Sequence, residues 1–592
     1  MALTQKIITF AAVSALCAAG ADLSAQSNDT LALPFFDDFS YTSDMPDQTL
    51  WDNSGVQISN TLPDSPPSIG VAVFDALDGD GNFYPSQYGI KNANGDTLTS
   101  KPLNLDYPGD NTIYLSFYYQ AGGYGDIPEA DDALMLDFYS PEDKEWTTVE
   151  TIPGGKRQAF KQMIVPISQK CYLQKGFRFR FRNHFSLGSS KQPDLVSNCD
   201  FWLVDYVKLD KLRNPLDTVY QDIALTNCPE IKLSGYMNVP WRHYTKAKEK
   251  IEVSYSIFYR NNDNQPRMLD SIKLMLNGNG TSDTLMLGSY NLPSYWSFSE
   301  SKDFKYTFKS DNELTADYLA GIKLVSDISS EDFAPNNIYF SPKVFADYYA
   351  HDDGSAEAGY GLHGEGSTGG MVAVKFATFV TDYINGVYIY FNPTFGDRQA
   401  DFFNLKIWDY RDGLPSSELY TGYNIPLPKD KCGEFVFFPL QHAVAVSDTF
   451  FIGWQKVQNE ILNVGFDKST SGAAFNYYNI NGQWKRSAEK GQIMIRPAFG
   501  STSTPVDDYD FDSQLQSELA VYPNPAQDYV RISGLNADKP LRAVIRGVSG
   551  AVVMQAVLQD NDSQIDISSL SPGTYFITIE GKDQSAKFIK IN

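Results

Sequence analysis

Apolar and polar residues alternate strictly in several segments of the chain. In residues 177–182 every second position is Phe, and each position between them is Arg. A period of two places all the apolar side chains on one face, so this segment predicts a strand with one buried face. The same alternation recurs in segments that start at Ile113, Ile251 and Val387. Helical spacing is scarce, with Leu314–Val325 as its best candidate, and the chain is therefore predicted to be all-β.

Turn-forming and polar stretches divide the chain into six segments. A strand at 201–207 ends the first folded segment, a Pro-containing stretch at 211–218 opens the next, and the segment at 501–517 is polar and acidic. Two aromatic residues followed by paired Asp occur at 35–38 and again at 348–353, which hints at two related sandwiches. The predicted segments are a signal peptide at 1–25, folded domains at 26–210, 211–344 and 345–500, a linker at 501–517 and a terminal domain at 518–592.

The first residues have the features of a targeting signal. Lys6 precedes an apolar run at 7–20, and small residues follow before the chain becomes polar. This order predicts a secretory signal peptide with cleavage between Ala25 and Gln26. Lipidation at Cys17 is a minor alternative. No later apolar run is long enough to cross a bilayer, so no transmembrane segment is predicted and the mature protein is expected to be soluble or attached from outside.

The net charge bears on which partners the protein can bind, and the cysteine content bears on whether it forms disulfide bonds. With 48 Lys and Arg against 72 Asp and Glu, the formal charge is −24, which repels phosphate backbones and argues against a nucleic-acid partner. Four cysteines follow the signal, and none forms a CxxC pair. Export permits disulfides, so a bridge among the first three and small buried thiols both remain open. These cysteines are Cys171, Cys199, Cys228 and Cys432.

The C-terminal segment carries several motifs in a defined order. It opens with YPNP at 522–525, continues with GVSG at 547–550 and ends with LSPGTY at 570–575. Over about residues 519–592 it resembles the type A C-terminal sorting domain of type IX secretion cargo proteins of Bacteroidota. The residues that carry the motif are Pro523, Asn524, Pro525, Gly550, Leu570, Gly573 and Tyr575.

This resemblance implies a route out of the cell. The signal peptide would direct export across the inner membrane, and the type IX secretion machinery would move the protein across the outer membrane. In the family a sortase-like protease usually removes the domain, and the body is released or attached to surface lipopolysaccharide. The expected location is therefore the medium or the outer face of the cell, reached through the periplasm.

Two parts of the body resemble a further class of modules. Residues 33–210 and 345–500 are similar to MAM-like or concanavalin-like jelly rolls of secreted Bacteroidota proteins, through FFDDF at 35–39, FWLVDY at 201–206 and DDGSAE at 352–357. The expected fold class is all-β and multi-domain, with two jelly-roll-like sandwiches flanking an Ig-like β-domain and a small C-terminal β-sandwich. Such folds host lectins, adhesins and enzyme accessory domains, so they indicate architecture more than function.

One acidic turn offers ligands for a cation. Oxygen-bearing side chains alternate there with glycines, and calcium needs several oxygen ligands at short range. The turn lacks the Glu of an EF-hand loop, because Gly89 occupies the twelfth position. An acidic turn without a metal is the commoner alternative. The Asp pairs at 37–38 and 352–353 are further candidate ligands or ordinary surface carboxylates. The three candidate Ca²⁺ ligands are Asp78, Asp80 and Asn82.

Catalytic motifs are harder to find. The sequence has no HExxH or GxSxG motif, and its five His are scattered. A glycosidase carboxylate pair remains open, because 72 acidic residues offer too many candidates. Exposed aromatic side chains would instead stack on sugars. Trp484 follows an Asn-Gly turn and is the Trp most expected at the surface.

The expected role is non-catalytic binding or adhesion, with carbohydrate or a host protein as the ligand. A secreted glycosidase or peptidase without a readable motif, and a structural component of a surface assembly, remain alternatives. An enzyme would place carboxylates in a cleft, and a lectin would show a shallow aromatic face. An assembly component would expose an apolar patch or a strand edge.

Overall fold

The computed structural model of the protein describes most of the chain between residues 30 and 590. The described residues are 30–41, 43–79, 81, 84, 92–186, 195–196, 200–279, 281–310, 312, 314–326, 335–362, 364, 366–393, 400–470, 475–500, 520–522, 526–533, 541–547, 552–558, 564–579 and 585–590. The predicted signal peptide and its cleavage site at Ala25 and Gln26 lie outside them, as does the predicted linker.

Two six-stranded antiparallel sheets form the N-terminal region and share one apolar core. The first sheet has the order β10 (Lys161–Pro166), β7 (Tyr114–Ala121), β13 (Trp202–Asp210), β4 (Val71–Phe74), β3 (Gln57–Ser59), with β1 (Phe35–Asp37) beside β13. The second has the order β2 (Trp51–Ser54), β5 (Ala93–Ser100), β11 (Lys175–Phe185), β8 (Ala133–Ser140), β9 (Glu145–Pro153), with β6 (Leu103–Asn104) beside β11.

The alternating Phe-Arg segment forms the centre of β11, as the sequence predicts. Phe179 and Phe181 are fully buried, and Phe179 packs edge-on against Trp51 of strand β2, with ring centroids 5.5 Å apart. On the opposite face, Arg180 Nε and Arg182 Nε both donate to one carboxylate oxygen in β8, at 2.8 and 2.7 Å. Each buried Phe contributes roughly 1.5–3 kcal/mol of apolar burial, so this face is what holds the two sheets together.

The middle region contains two four-stranded sheets and one short helix. One sheet has β16 (Val253–Asn261) at its centre, with β14 (Ile223–Leu225), β15 (Glu230–Leu233) and β19 (Ser297–Asp303) paired to it. The other has the order β18 (Thr281–Leu292), β17 (Arg267–Gly278), β20 (Ala316–Ser326), β21 (Ile338–Phe345). The helix α1 spans Trp241–Ala247, and 3-10 turns lie at Lys248–Lys250, Pro335–Asn337 and Lys429–Lys431.

The helical expectation at Leu314–Val325 is wrong, because this segment forms strand β20. Tyr318, Ile322 and Leu324 are buried, whereas Leu319 and Lys323 between them are exposed. β20 pairs with β17 on one side and β21 on the other, so ladder hydrogen bonds on both edges override the weak local helical spacing.

A third region extends to residue 500 with three antiparallel sheets. The largest has the order β26 (Leu414–Pro426), β25 (Phe402–Arg411), β28 (Thr449–Lys456), β23 (Met371–Ala377), β30 (Asn476–Ile480), β31 (Gln483–Arg486). The second has the order β27 (Phe435–Val446), β24 (Asp382–Tyr390), β33 (Ile495–Ala498). The third joins β12 (Leu195–Val196) of the N-terminal region to β22 (Ala358–Tyr360), β29 (Val464–Asp467) and β32 (Gln492–Ile493).

The C-terminal region has two small sheets with a core of its own. One has the order β34 (Ala520–Tyr522), β35 (Tyr529–Ser533), β38 (Gln564–Asp566). The other has the order β37 (Val552–Leu558), β36 (Leu541–Gly547), β39 (Gly573–Ile579), β40 (Ser585–Lys590).

The predicted all-β, multi-domain fold class is confirmed, since strands account for 57% of the described residues and helices for 4%. By internal contacts the chain divides into two compact units, Met1–Phe438 with Ala445–Gly500 and Pro439–Val444 with Ser501–Asn592. The finer boundaries near residues 210 and 344 stay predictions. Within the described residues, no helix combines the length and apolar character needed to cross a membrane.

Candidate binding turn and carboxylate sites

The turn between β18 and β19 presents two aromatic side chains to solvent. Tyr295 is 49% exposed and Trp296 is 59% exposed. All eight Trp lie among the described residues, and the other seven are buried or half-buried. Trp296 is therefore the Trp whose ring is most open to a ligand. A solvent-facing aromatic ring offers a large, rigid surface for stacking against an apolar face of a partner.

Buried polar residues hold this turn in one conformation. Asn261 at the end of β16 is fully buried, and its side-chain amide donates to Pro293 O at 3.0 Å, while its backbone N–H donates to Trp296 O at 3.1 Å. Tyr295 has a φ of 55°, and its N–H donates to Asp263 O at 3.0 Å. Because the backbone is already fixed, binding to this turn would lose little conformational entropy.

Two polar groups lie in the neighbourhood of the turn. The phenol of Tyr118 in β7 interacts electrostatically with the Arg260 guanidinium of β16 and with Tyr295. Burial raises the pKa of Tyr118, so this hydroxyl stays protonated at neutral pH. Arg260 is half-buried, and no described residue accepts a hydrogen bond from its Nε. This N–H is buried, so it faces the interior of the protein and not the solvent around the turn.

The expectation that Trp484 is the exposed Trp is wrong. Trp484 is half-buried, and its ring packs edge-on against Trp408, with centroids 5.2 Å apart. The Asn-Gly turn does form, with φ values of 62° at Asn481 and 81° at Gly482. The hairpin pairs β31 with β30, and this pairing lays Trp484 over the sheet. The sequence does contain a signal for the exposed Trp296. Pro293 is followed by Ser-Tyr-Trp, which is a turn sequence with two adjacent aromatic residues.

Only part of the predicted cation turn lies among the described residues. Asp80 and Asn82 fall outside them, whereas Asp78 is half-buried and its carbonyl oxygen accepts the N–H of Gly81 at 2.8 Å. Burial, followed by the charge of Asp75 and more weakly that of Asp78, raises the pKa of Asp96 to about 8. The calcium site at this turn stays a prediction.

A different group of carboxylates converges elsewhere in the N-terminal sandwich. Glu129 and Asp132 precede β8, and Asp200 precedes β13. One carboxylate oxygen from each of them lies within 4.8 Å of the other two. Asp132 and Asp200 are buried, and Glu129 is exposed. A parallel bridge between Asp126 and Asp200 brings the two segments together, which sequence spacing does not reveal.

Ser186 is a donor to both buried carboxylates of this group. Its N–H donates to Asp200 Oδ2 at 2.8 Å, and its hydroxyl donates to Asp132 Oδ1 at 2.9 Å. Asp132 Oδ2 is buried, yet none of the described residues donates a hydrogen bond to it. Burial, together with the charges of Glu129, Asp132 and Asp126, raises the pKa of Asp200 to about 10. These three carboxylates are the described group best placed to hold a cation.

The Asp pair at 37–38 is buried, so the surface alternative is wrong for it. Asp37 accepts a hydrogen bond from Trp51 Nε1 at 2.7 Å and from the N–H of Phe39 at 2.8 Å. Asp38 accepts one from Asn336 Nδ2 at 2.9 Å. Since Asn336 belongs to the middle region, Asp38 links that region to the N-terminal sandwich. Both carboxylates act as structural acceptors in this arrangement.

The second Asp pair belongs to a larger polar cluster. Asp352 is buried and forms an ion pair with Arg496 of β33. The N–H of Asp353 donates to Asp467 Oδ2 at 2.9 Å. Burial, followed by the charge of Asp353, raises the pKa of Glu357 to about 7. The DDGSAE segment thus supplies an internal network of carboxylates, and the surface alternative is wrong here for Asp352.

Two of the described cysteines, Cys171 and Cys228, are free thiols. Cys199 lies outside the described residues. Cys228 Sγ donates to the Tyr339 hydroxyl at 3.3 Å, and burial raises the pKa of this thiol to about 12. A thiol with so high a pKa is a poor nucleophile at neutral pH. The described contacts therefore give Cys228 a structural role.

Three residues of the predicted sorting motif lie among the described residues. Tyr575 packs against Phe588 with ring centroids 5.6 Å apart, and its hydroxyl donates to Ser571 O at 2.7 Å. Leu570 packs against the same core, and Gly573 begins β39. The motif residues outside the described part of the chain are Pro523, Asn524, Pro525 and Gly550.

Comparison with known proteins identifies one segment. Residues 520–591 match the family model described as the secretion system C-terminal sorting domain. No curated protein matches the chain.

Several solved structures align with part of the chain. A GH2 β-galacturonidase from Eisenbergiella tayi is 9% identical with a TM-score of 0.20, over 50% of this chain and 44% of that one. The CBM22-1–CBM22-2 tandem domain from Paenibacillus barcinonensis is 9% identical with a TM-score of 0.20, over 55% of this chain and 100% of that one. The chain spans less than half the length of the galacturonidase, and likeness at this level carries no information about activity.

The sorting-domain match and the structure of the C-terminal unit agree. The match covers all the strands from β34 to β40, which enclose a separate apolar core. Such a tail implies recognition by the type IX secretion machinery and export to the cell surface or the medium. Residues 520–591 are therefore a type IX secretion C-terminal sorting domain, and this tail implies a secreted protein.

Proposed function

We propose that the body of this secreted protein binds carbohydrate without catalysing a reaction on it, and that the turn at Tyr295 and Trp296 is its contact surface. The observation that carries the proposal is the exposure of Trp296 on a backbone that Asn261 holds rigid. A preorganised aromatic pair gains stacking energy at little entropic cost.

A glycan-array screen of the full-length chain, followed by affinity measurement on any positive glycan, tests this proposal. Trp296→Ala should weaken binding about 10- to 30-fold, which is the usual cost of truncating an aromatic anchor of about 2 kcal/mol. Tyr423→Ala is the matched control, because Tyr423 is also an exposed aromatic residue but lies in β26 of the third region. It should bind as the unmodified protein does.

Three other outcomes would contradict the proposal. An equal loss of glycan affinity in both variants would indicate that exposed aromatic side chains bind the glycan nonspecifically. Shortened glycan products after incubation would favour the glycosidase alternative. The absence of any positive glycan would favour a host-protein ligand or a role in a surface assembly.

We further propose that the mature protein loses both of its ends. Cleavage between Ala25 and Gln26 would remove the signal peptide, and a sortase-like protease would remove the sorting domain, leaving a body that is released or attached to surface lipopolysaccharide. Intact-mass measurement of the protein from its native producer should give a mass without residues 1–25 and without the sorting domain. A mass that retains Tyr575 and the rest of β39 would contradict removal of the domain.

A further inference from the structure

We propose that Glu129, Asp132 and Asp200 bind one calcium ion that ties the two sheets of the N-terminal sandwich together. This site is separate from the proposed glycan surface and from the acidic turn at Asp78. It involves residues from two segments that are about 70 positions apart in the sequence.

The spacing of the three carboxylates fits a single cation. Ca²⁺ binds oxygen ligands at about 2.3–2.6 Å, so two oxygens on one ion lie no more than about 5 Å apart. One oxygen each from Glu129, Asp132 and Asp200 meets this limit, since all three lie within 4.8 Å of one another. Backbone carbonyls and water would complete the six to eight ligands that Ca²⁺ requires.

The hydrogen bonding of Asp132 gives an independent reason to expect an ion. Its Oδ1 accepts the Ser186 hydroxyl, but its Oδ2 is buried and no described residue donates to it. An unsatisfied buried carboxylate oxygen costs free energy that a bound cation would recover. None of the ion pairs among the described residues involves Glu129, Asp132 or Asp200, so no Lys or Arg of the described chain takes the place of the ion.

The type of ligand and the exposure of Glu129 favour calcium. A set of carboxylates with no described Cys or His among them suits hard cations rather than zinc. Calcium tolerates the irregular geometry of a loop and a strand end, whereas Mg²⁺ demands near-ideal octahedral geometry. Glu129 is exposed and gives the ion a path from solvent. Extracellular calcium modules bind with dissociation constants of about 10⁻⁴ to 10⁻³ M, and this site is expected in that range.

Such an ion would act as a cross-link in the sandwich. Asp132 leads into β8 of one sheet, and Asp200 leads into β13 of the other sheet. An ion held by both would stabilise the folded state in proportion to its occupancy and leave the unfolded state unaffected. Calcium should therefore raise the unfolding temperature of this region.

Calorimetric titration of the chelator-treated full-length chain with Ca²⁺, and separately with Mg²⁺, tests the proposal. The unmodified protein should bind one Ca²⁺ at this site. Asp132→Asn and Asp200→Asn should weaken that binding at least about tenfold. Glu129→Gln should do the same, and because Glu129 is exposed this variant does not disturb the core.

Two control variants and a thermal readout distinguish this site from the acidic turn and from a general effect of charge. Asp131→Asn removes the same charge from an exposed neighbour and should bind Ca²⁺ normally, as should Asp78→Asn in the acidic turn. In chelator Asp132→Asn should unfold no earlier than the unmodified protein, because it removes one of three neighbouring carboxylates that repel one another. With calcium it should lose the stabilisation. Three results would each overturn the proposal. They are normal Ca²⁺ binding by Glu129→Gln and Asp132→Asn, loss of Ca²⁺ binding in Asp78→Asn alone, and no Ca²⁺ binding by the unmodified protein.

Discussion

Asn261 determines whether the aromatic turn keeps its shape. Replacing it with Ala removes a buried side-chain amide that donates to Gln265 O, Leu292 O and Pro293 O, so these carbonyl groups lose a hydrogen-bond donor. Asn261→Ala should therefore lower the free energy of unfolding by about 2 kcal/mol and weaken glycan binding by a few-fold, with Trp296 unaltered.

Chemical denaturation and glycan affinity, measured on the same sample, check this prediction. Asn277→Ala is the matched control, because Asn277 is half-buried in β17 and accepts one hydrogen bond, from the Ser282 hydroxyl. It should change stability by less than about 0.5 kcal/mol. A stable Asn261→Ala protein with unchanged affinity would show that the turn needs no such support.

The burial and contacts of individual side chains are the features of this protein that the sequence predicts least well. Trp484 and Trp296 both follow turn residues, and local sequence does not tell which ring a distant strand will cover. The Asp37–Asp38 pair has the composition of a surface turn. In the structure both residues are buried, because Asp37 accepts a hydrogen bond from Trp51 and Asp38 accepts one from Asn336. Asp132 and Asp200 come together through the pairing of Asp126 with Asp200 and through Ser186, which donates to both carboxylates.

Strands with clear alternation are predictable because the period of two is imposed by the pleat itself. Most of each segment that starts at Ile113, Ile251 or Val387 lies in a strand, namely β7, β16 or β24. The helical prediction fails for β20 because Gly321 is buried between Ala320 and Ile322 and interrupts the alternation. The identity of β20 depends on its neighbours β17 and β21, which no local window contains.

At the scale of the whole molecule, the order of motifs indicates the secretion route, whereas the ligand-binding surfaces require the fold. The sorting domain is recognisable because Leu570, Gly573 and Tyr575 lie close together in sequence and in one unit. The candidate cation site and the aromatic turn depend on contacts between distant segments, and such contacts leave no fixed spacing in the sequence.

The many buried carboxyl groups of the body should make its stability depend on pH. Burial is the main cause that raises the pKa of Asp37, Asp222 and Glu357 to about 7 each. Their folded pKa values lie above their ordinary values of 3.8 to 4.5, so the folded state binds more protons than the unfolded state between about pH 4 and 7. Their stabilising contribution to the free energy of unfolding is fully present below about pH 4 and is lost as the pH rises through 7.

His351 acts in the opposite direction. Burial lowers the pKa of His351 to about 4. Its stabilising contribution to the free energy of unfolding is therefore present above pH 6.5 and is lost as the pH falls towards 4. The three carboxyl groups together outweigh this single His, since each unit of pKa shift corresponds to about 1.4 kcal/mol. The first unfolding transition in chelator should therefore occur at a higher temperature at pH 5 than at pH 8, with a difference on the order of 5 °C.

Calorimetric scans between pH 4 and 9 measure this dependence, and two variants assign it. Asp222→Asn removes one of the responsible groups and should reduce the decline above pH 5. Asp137→Asn is the matched control: burial alone would raise the pKa of Asp137, but hydrogen bonds from Arg182, Thr148 and Arg180 hold it below its usual range. Asp137 is therefore already ionised at pH 5, and its replacement should lower stability by a similar amount at every pH above that. An unfolding temperature that is constant or rises from pH 5 to pH 8 would mean that these carboxyl groups are ionised in the folded protein and are compensated by partners or by bound cations.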